Sequence, residues 1–297
     1  MSITKLIAPH LQDLGGFNAR RSLPQNEQMM VGPFIFFDHL GAAEFPAGKG
    51  VDVRPHPHIN LATVTYLLEG VLLHQDSLGY TQEILPGAVN WMTAGKGIVH
   101  SERSPKSDRE SNSILHAIQT WVALPESAEE VEPSFTHYTS QDIPNWKENG
   151  VKTTLIAGET KGYKSPVKSY SPIIYLDLSF SPQGKFKLSA DWSERAVYTI
   201  TEGITINGKA LPQHRLAVLN SQDEVKISAT QQARCMVIGG EPVGKRYKWW
   251  NFVSSSVERI EKAKKDWRDS NFAQVPGETE FIPLPEKLEM MTQEQVF

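Results

Sequence analysis

The sequence predicts an all-β protein of two sandwich or barrel domains, with one helix near the C-terminus. Three observations carry that expectation. Twenty-one glycines and 19 prolines punctuate the 297 residues every few positions. The pieces between them are rich in β-branched and aromatic residues, and many short strands set off by turn residues mark sandwiches and barrels. A strand–turn–strand pattern also occurs twice, and at about 150 residues per domain the chain has room for two copies.

In chain order, the strand-forming runs are Leu61 to Leu68, Val89 to Thr93, Ser113 to Leu124, Lys152 to Ala157, Ile173 to Phe180, Ala196 to Ile200 and Met236 to Ile238. Asn207-Gly208 separates Ile204-Thr205-Ile206 from Lys209-Ala210-Leu211 and reads as a two-residue hairpin turn, which needs positive φ at both central positions. The repeat is Leu67-Leu68-Glu69-Gly70 followed by Leu85-Pro86, matched by Ile200-Thr201-Glu202-Gly203 followed by Leu211-Pro212. Ile143-Pro144-Asn145 and Asn149-Gly150 punctuate the chain between the copies, so the expected domains are 1–145 and 146–297.

One stretch has a convincing helical pattern. Ser255-Ser256-Val257-Glu258 has the capping-box form, and Val257, Ile260, Ala263 and Trp267 continue it as an apolar stripe. Glu258/Lys262 and Glu261/Lys265 are expected i,i+4 pairs, so the basic run there reads as a solvated helix face rather than a nucleic-acid patch. Trp249-Trp250 is expected to hold this helix against the second domain.

Thirty Lys+Arg against 34 Asp+Glu give a formal charge of −4, which supplies no bulk attraction to nucleic acid or to an anionic membrane. The single cysteine, Cys235, excludes an internal disulfide and a cysteine-based zinc cluster, and it reads as an inert core thiol. No secretory core or membrane span is visible, so a cytoplasmic, soluble protein is expected.

Two histidine patterns stand apart from the other histidines. They are Arg54-Pro55-His56-Pro57-His58 and Gly95-Lys96-Gly97-Ile98-Val99-His100-Ser101-Glu102. Residues i and i+2 of an extended chain share a face, so His56 projects with His58 and His100 with Glu102. Pro55 and Pro57 fix φ on either side of His56 and favour that extended form. Two such dyads on neighbouring strands bring three imidazoles and a carboxylate to one point. That ligand set suits Fe(II), Mn, Ni, Cu or Zn. Four ligands in an octahedral shell leave two positions open for a chelating substrate or for substrate and O2. Gly95-x-Gly97 is not a dinucleotide fingerprint, because it lacks the third glycine and leads into a His-x-Glu dyad.

The segments Val31–Gly41, Arg54–His58, Thr63–Gly70 and Trp91–Glu102 resemble the pirin family of bicupins, and the likeness continues through Gly239–Pro242 and Trp249–Val253. The resemblance implies two cupin domains, with one metal, usually iron, in the N-terminal one, held by His56, His58, His100 and Glu102. It also implies quercetin 2,3-dioxygenase activity on a flavonol-like substrate with O2. Other family members are described as iron-dependent coregulators of transcription or as partners of metabolic enzymes, so binding to a protein partner is the alternative expectation. Asn60, where many relatives carry glycine, is expected to crowd the site mouth.

Registering the repeat sends His56 and His58 to Ser189 and Asp191, and His100 and Glu102 to Lys226 and Ser228. The second domain is therefore expected to hold no metal and to cover the first. His39, His74 and His116 flank the proposed centre and read as ordinary packed or exposed histidines, with support of a ligand imidazole as the alternative. Trp91, Met92 and Trp121 read as core. Glu102 is the one ligand able to act as a general base as well.

Overall fold

A computed structural model describes residues 2–14 and 16–292. The fold is all-β with one α-helix, as the punctuated strand pattern predicts. The described residues form two compact units. One comprises residues 2–10, 22–35 and 141–243, the other residues 11–14, 16–21, 36–140 and 244–292. No helix among the described residues is long and apolar enough to cross a membrane.

In the unit containing residues 36–140, a four-stranded sheet runs in the order Asp52–His58, Ile98–Arg103, Leu72–Asp76, Thr81–Ile84. It faces a larger antiparallel sheet whose centre is Val89–Thr93, Leu61–Glu69 and Ser113–Ala123. Strand runs read from composition fall within one to three residues of these limits. At one end the two sheets enclose an apolar cluster that includes Leu67, Leu72, Leu115 and Ala117. Further along the same inward faces the residues become polar: Thr65, His74, His100 and Glu102 are all buried.

The other unit repeats this plan with different contents. Its four-stranded sheet, Lys185–Leu188, Val225–Ala229, Ile204–Ile206, Lys209–Ala210, has the same strand order. The hairpin predicted at Asn207-Gly208 is present, with φ of 48° and 82°. The Glu-Gly turns of the repeat also correspond. Gly70 and Gly203 adopt φ of 88° and 89°, and a Cβ on Gly70 would lie 2.0 Å from the Ile114 carbonyl oxygen. Here the interior is one continuous apolar cluster with members from Val151 to Val237, among them Phe186, Leu188, Val225 and Ile227.

Three expectations need correction. Loop-counting placed Ser189, Asp191, Lys226 and Ser228 opposite the proposed ligands. Lys226 and Asp191 are exposed, however, and the inward positions are Phe186, Leu188, Val225 and Ile227. The C-terminal segment does not cluster with the second repeat. Trp249 packs with Ile59, Phe252, Ile260 and Ala263, so the helix Val257–Arg268 belongs with the histidine-bearing unit. That helix is capped by Ser256, whose hydroxyl accepts from the Arg259 amide, one residue later than predicted; Ser255 instead donates to Glu129. Its ion pairs among the described residues are Lys262–Asp266, Lys264–Glu261, Lys265–Asp269 and Arg259–Glu130, in place of the expected Glu258/Lys262 and Glu261/Lys265.

Candidate metal centre

His56 and His58 reach the interior because the strand that carries them is bulged. His100 pairs with His56 and Glu102 pairs with Val53, so Arg54 and Pro55 together oppose the single residue Ser101. A proline has no amide to give to a ladder and is tolerated at a bulge. The extra residue turns the face of the strand, and His56 and His58 then point inward beside His100. The ring centroids of the three imidazoles lie 4.4 to 5.1 Å apart. One nitrogen from each falls within 4.8 Å of the others, and all three residues are buried.

The hydrogen bonds fix which nitrogen is offered. His56 Nδ1 lies 2.8 Å from the Arg54 carbonyl oxygen, and His58 Nδ1 lies 3.1 Å from that of Asn251. A carbonyl only accepts, so each Nδ1 carries the proton and each Nε2 keeps a lone pair. His100 is set by a relay. His74 Nε2 donates to the Asp76 carboxylate at 2.9 Å, which leaves His74 Nδ1 as an acceptor for His100 Nδ1 at 3.4 Å. His100 Nε2 is buried and has no hydrogen-bond partner among the described residues. Each ring therefore keeps its lone pair on Nε2, and that of His100 is buried with no donor to meet it among the described residues.

Electrostatics favour the ligating form. Burial lowers the pKa of His56 and drives those of His58 and His100 well below the ordinary imidazole value; the neighbouring histidines push the latter two further the same way. The rings are neutral at pH 7. Such a donor set fits a divalent first-row cation, whereas a buried acceptor with no partner, such as His100 Nε2, costs stability on its own.

Glu102 lies beside this group rather than within it. Its Oε1 accepts from Thr65 Oγ1 at 3.0 Å and its Oε2 from Gln119 Nε2 at 2.7 Å. Its charge is felt by His56. The geometry thus brings together three of the four predicted ligands and holds the fourth next to them by two donors.

Several residues that support the centre were not singled out from the sequence. Asp76, Thr65, Gln119 and the Asn251 carbonyl orient the ligands. Asp76 was detectable, because His74-x-Asp76 obeys the same i,i+2 rule that picked out His56 and His58. His74 supports His100 and stacks on Phe135, whereas His39 and His116 pair with each other at 2.7 Å. Asn60 does not crowd the site: it has φ of 57°, and its amide donates to Glu129 and Glu130 in a neighbouring loop. The left-handed backbone there is one that favours glycine.

Comparison with known proteins now adds to this geometry. The Pirin family model matches residues 16–122, and the Pirin C-terminal cupin domain model matches residues 175–273. A pirin-like protein of Caulobacter vibrioides is 46% identical over 280 residues, covering 93% of this chain and 96% of that protein. The chain belongs to the pirin family. Human pirin is 34% identical over 265 residues, covering 86% of this chain and 88% of its own. The crystal structure of a quercetin 2,3-dioxygenase from Acinetobacter baumannii superimposes with a TM-score of 0.87 at 33% identity, over 96% of this chain and 97% of that one. The two-cupin plan of the pirins thus accounts for both units.

Proposed function

We propose that this pirin is a metal-dependent dioxygenase of quercetinase type, opening the heterocyclic ring of a flavonol with O2 and releasing CO. The observation that carries the reading is the convergence of three Nε2 lone pairs on one buried point beside a carboxylate. The likeness to the Acinetobacter quercetin 2,3-dioxygenase supports the choice of substrate class. His56, His58 and His100 would hold the ion, with Glu102 as the fourth ligand; Fe(II) is the proposed metal, and Mn, Ni, Cu or Zn also suit these donors. When bound, the metal supplies Lewis acidity that lowers the pKa of the substrate's 3-hydroxyl.

The chain supplies the rest. Glu102 takes the hydroxyl proton, and Thr65 and Gln119 keep its carboxylate aimed as it does so. The Asp76–His74 relay and the Arg54 and Asn251 carbonyls hold the imidazoles in one tautomer. The three histidines, Glu102, Thr65, His74 and Asp76 are buried, which limits the access of bulk water to the centre. The test is CO release and O2 uptake by metal-loaded protein with quercetin. Glu102→Gln is expected to retain metal and lose about 100-fold or more in turnover, within the range of a removed general base. Unchanged CO production by this variant contradicts the role of Glu102. Absence of flavonol-dependent O2 uptake with every first-row metal contradicts the reaction.

A further inference from the structure

The wall beside His58 carries a cation that nothing so far explains. Trp121 meets the His58 ring edge-on, with centroids 4.9 Å apart, and stacks on Phe36 at 4.0 Å with an interplanar angle of 9°. A cation lies at each end of this aromatic pair. The Arg21 guanidinium sits 4.4 Å from the Phe36 centroid, and Lys248 Nζ sits 5.5 Å from the Trp121 centroid.

The two cations differ in how they are neutralised. Arg21 holds Asp38 through two hydrogen bonds of 2.9 and 2.7 Å. Lys248 has no hydrogen-bond acceptor and no carboxylate in contact among the described residues. Its side chain is half-buried, on the strand Tyr247–Trp249, in the same hairpin that offers the Asn251 carbonyl to His58. A lysine with no acceptor normally extends its ammonium into water. This one also lies one indole away from His58, close enough for its charge to be felt there. Burial, reinforced by the nearby Arg21 charge and opposed by Asp38, brings it down to about 7. An ammonium drawn down in this way gains from an anionic oxygen brought against it, since a charge-assisted hydrogen bond is stronger than a neutral one.

We propose that Lys248 anchors an anionic oxygen of the aromatic substrate, an ionised phenol or enol held at the His56/His58/His100 centre. The ammonium donates to that oxygen, and Trp121 sets its distance from His58. Lys248 is then a substrate-binding residue that favours ionised hydroxyaromatic ligands over neutral ones of the same shape. This assignment rests on the dioxygenase reading for the substrate's identity, but its chemistry requires only an ionised oxyaromatic ligand.

The experiment titrates metal-loaded wild type, Lys248→Met and Lys248→Arg with 4-nitrocatechol, whose visible spectrum reports its ionisation. Metal content, melting temperature and CO release from quercetin are measured in parallel. Lys248→Met is expected to bind the ionised probe about tenfold or more weakly, with metal content and melting temperature unchanged. Lys248→Arg is expected to recover most of the affinity, because it restores the charge without restoring the same shape. Equal affinity in the Met variant, or no binding of the probe by wild type, overturns the proposal. If probe binding depends on Lys248 while wild type releases no CO from quercetin, the anchor stands and the dioxygenase reading falls.

Discussion

The two cupin units of this chain share a strand order and differ in what their matching strand pairs put inside. In one, His100 stands opposite His56 and Ile98 opposite His58; in the other, Ile227 stands opposite Phe186 and Val225 opposite Leu188. The apolar pairs are part of an unbroken core. The histidine pairs interrupt one, and the buried polar residues around them are mostly matched among themselves. The group of three histidines stands where the matching strand pair of the second unit keeps apolar packing.

That contrast can be broken from either side. The largest effect is expected for Ile227→His, which places an imidazole in the dry core without an Asp–His relay behind it. It should cost roughly 3 kcal/mol in denaturant unfolding of its domain. A loss under about 0.5 kcal/mol would mean that the second interior tolerates polar groups and that the contrast is superficial.

Next in size is Asp76→Asn. Asp76 Oδ1 accepts from the Leu78 and Tyr80 amides, so an asparagine keeps its carbonyl there and turns its NH2 toward His74. The relay then reverses and His100 is driven to carry its proton on Nε2, the ligating atom. Metal affinity should fall about 10- to 100-fold, read by competition with a chelator. Unaltered affinity would remove His74 and Asp76 from the centre.

A smaller effect, of opposite sign, is expected for His100→Leu in metal-free protein. Removing a buried nitrogen that lacks a partner should outweigh the long 3.4 Å bond to His74 lost with it and raise the melting temperature, corresponding to roughly 1 kcal/mol, while metal binding is lost. The same variant should flatten the pH dependence. His58 and His100 have lowered pKa values in the fold, so below about pH 6.5 the unfolded chain takes up protons that the folded one refuses. Stability of the metal-free protein therefore falls as pH drops through that range. His100→Leu should fall less steeply, and a slope equal to that of wild type contradicts the burial argument.

Much of this was legible in the sequence, for physical reasons that also mark its limits. Strands such as Val89–Thr93 and Ile173–Phe180 have sharp edges in composition because glycine and proline bound them. The three histidines could be grouped because an i,i+2 spacing survives any uncertainty in strand limits. Register could not be counted across loops of unequal length, so loop-counting named outward positions such as Lys226 in place of Ile227. The partner of the helix was equally hidden. An apolar stripe of Ile260 and Ala263 says that a face is covered, but not that Ile59 and Phe252 cover it. Thr65 and Gln119 have no local signature, since their role exists only where two sheets bring them to Glu102.

Elemental analysis of protein purified without added metal, alongside His58→Ala and His100→Ala, tests the central claim most directly. The account predicts about one equivalent of a first-row divalent metal in wild type and almost none in either variant. Metal-free wild type that also fails to take up Fe(II), or variants that keep a full equivalent, would contradict it.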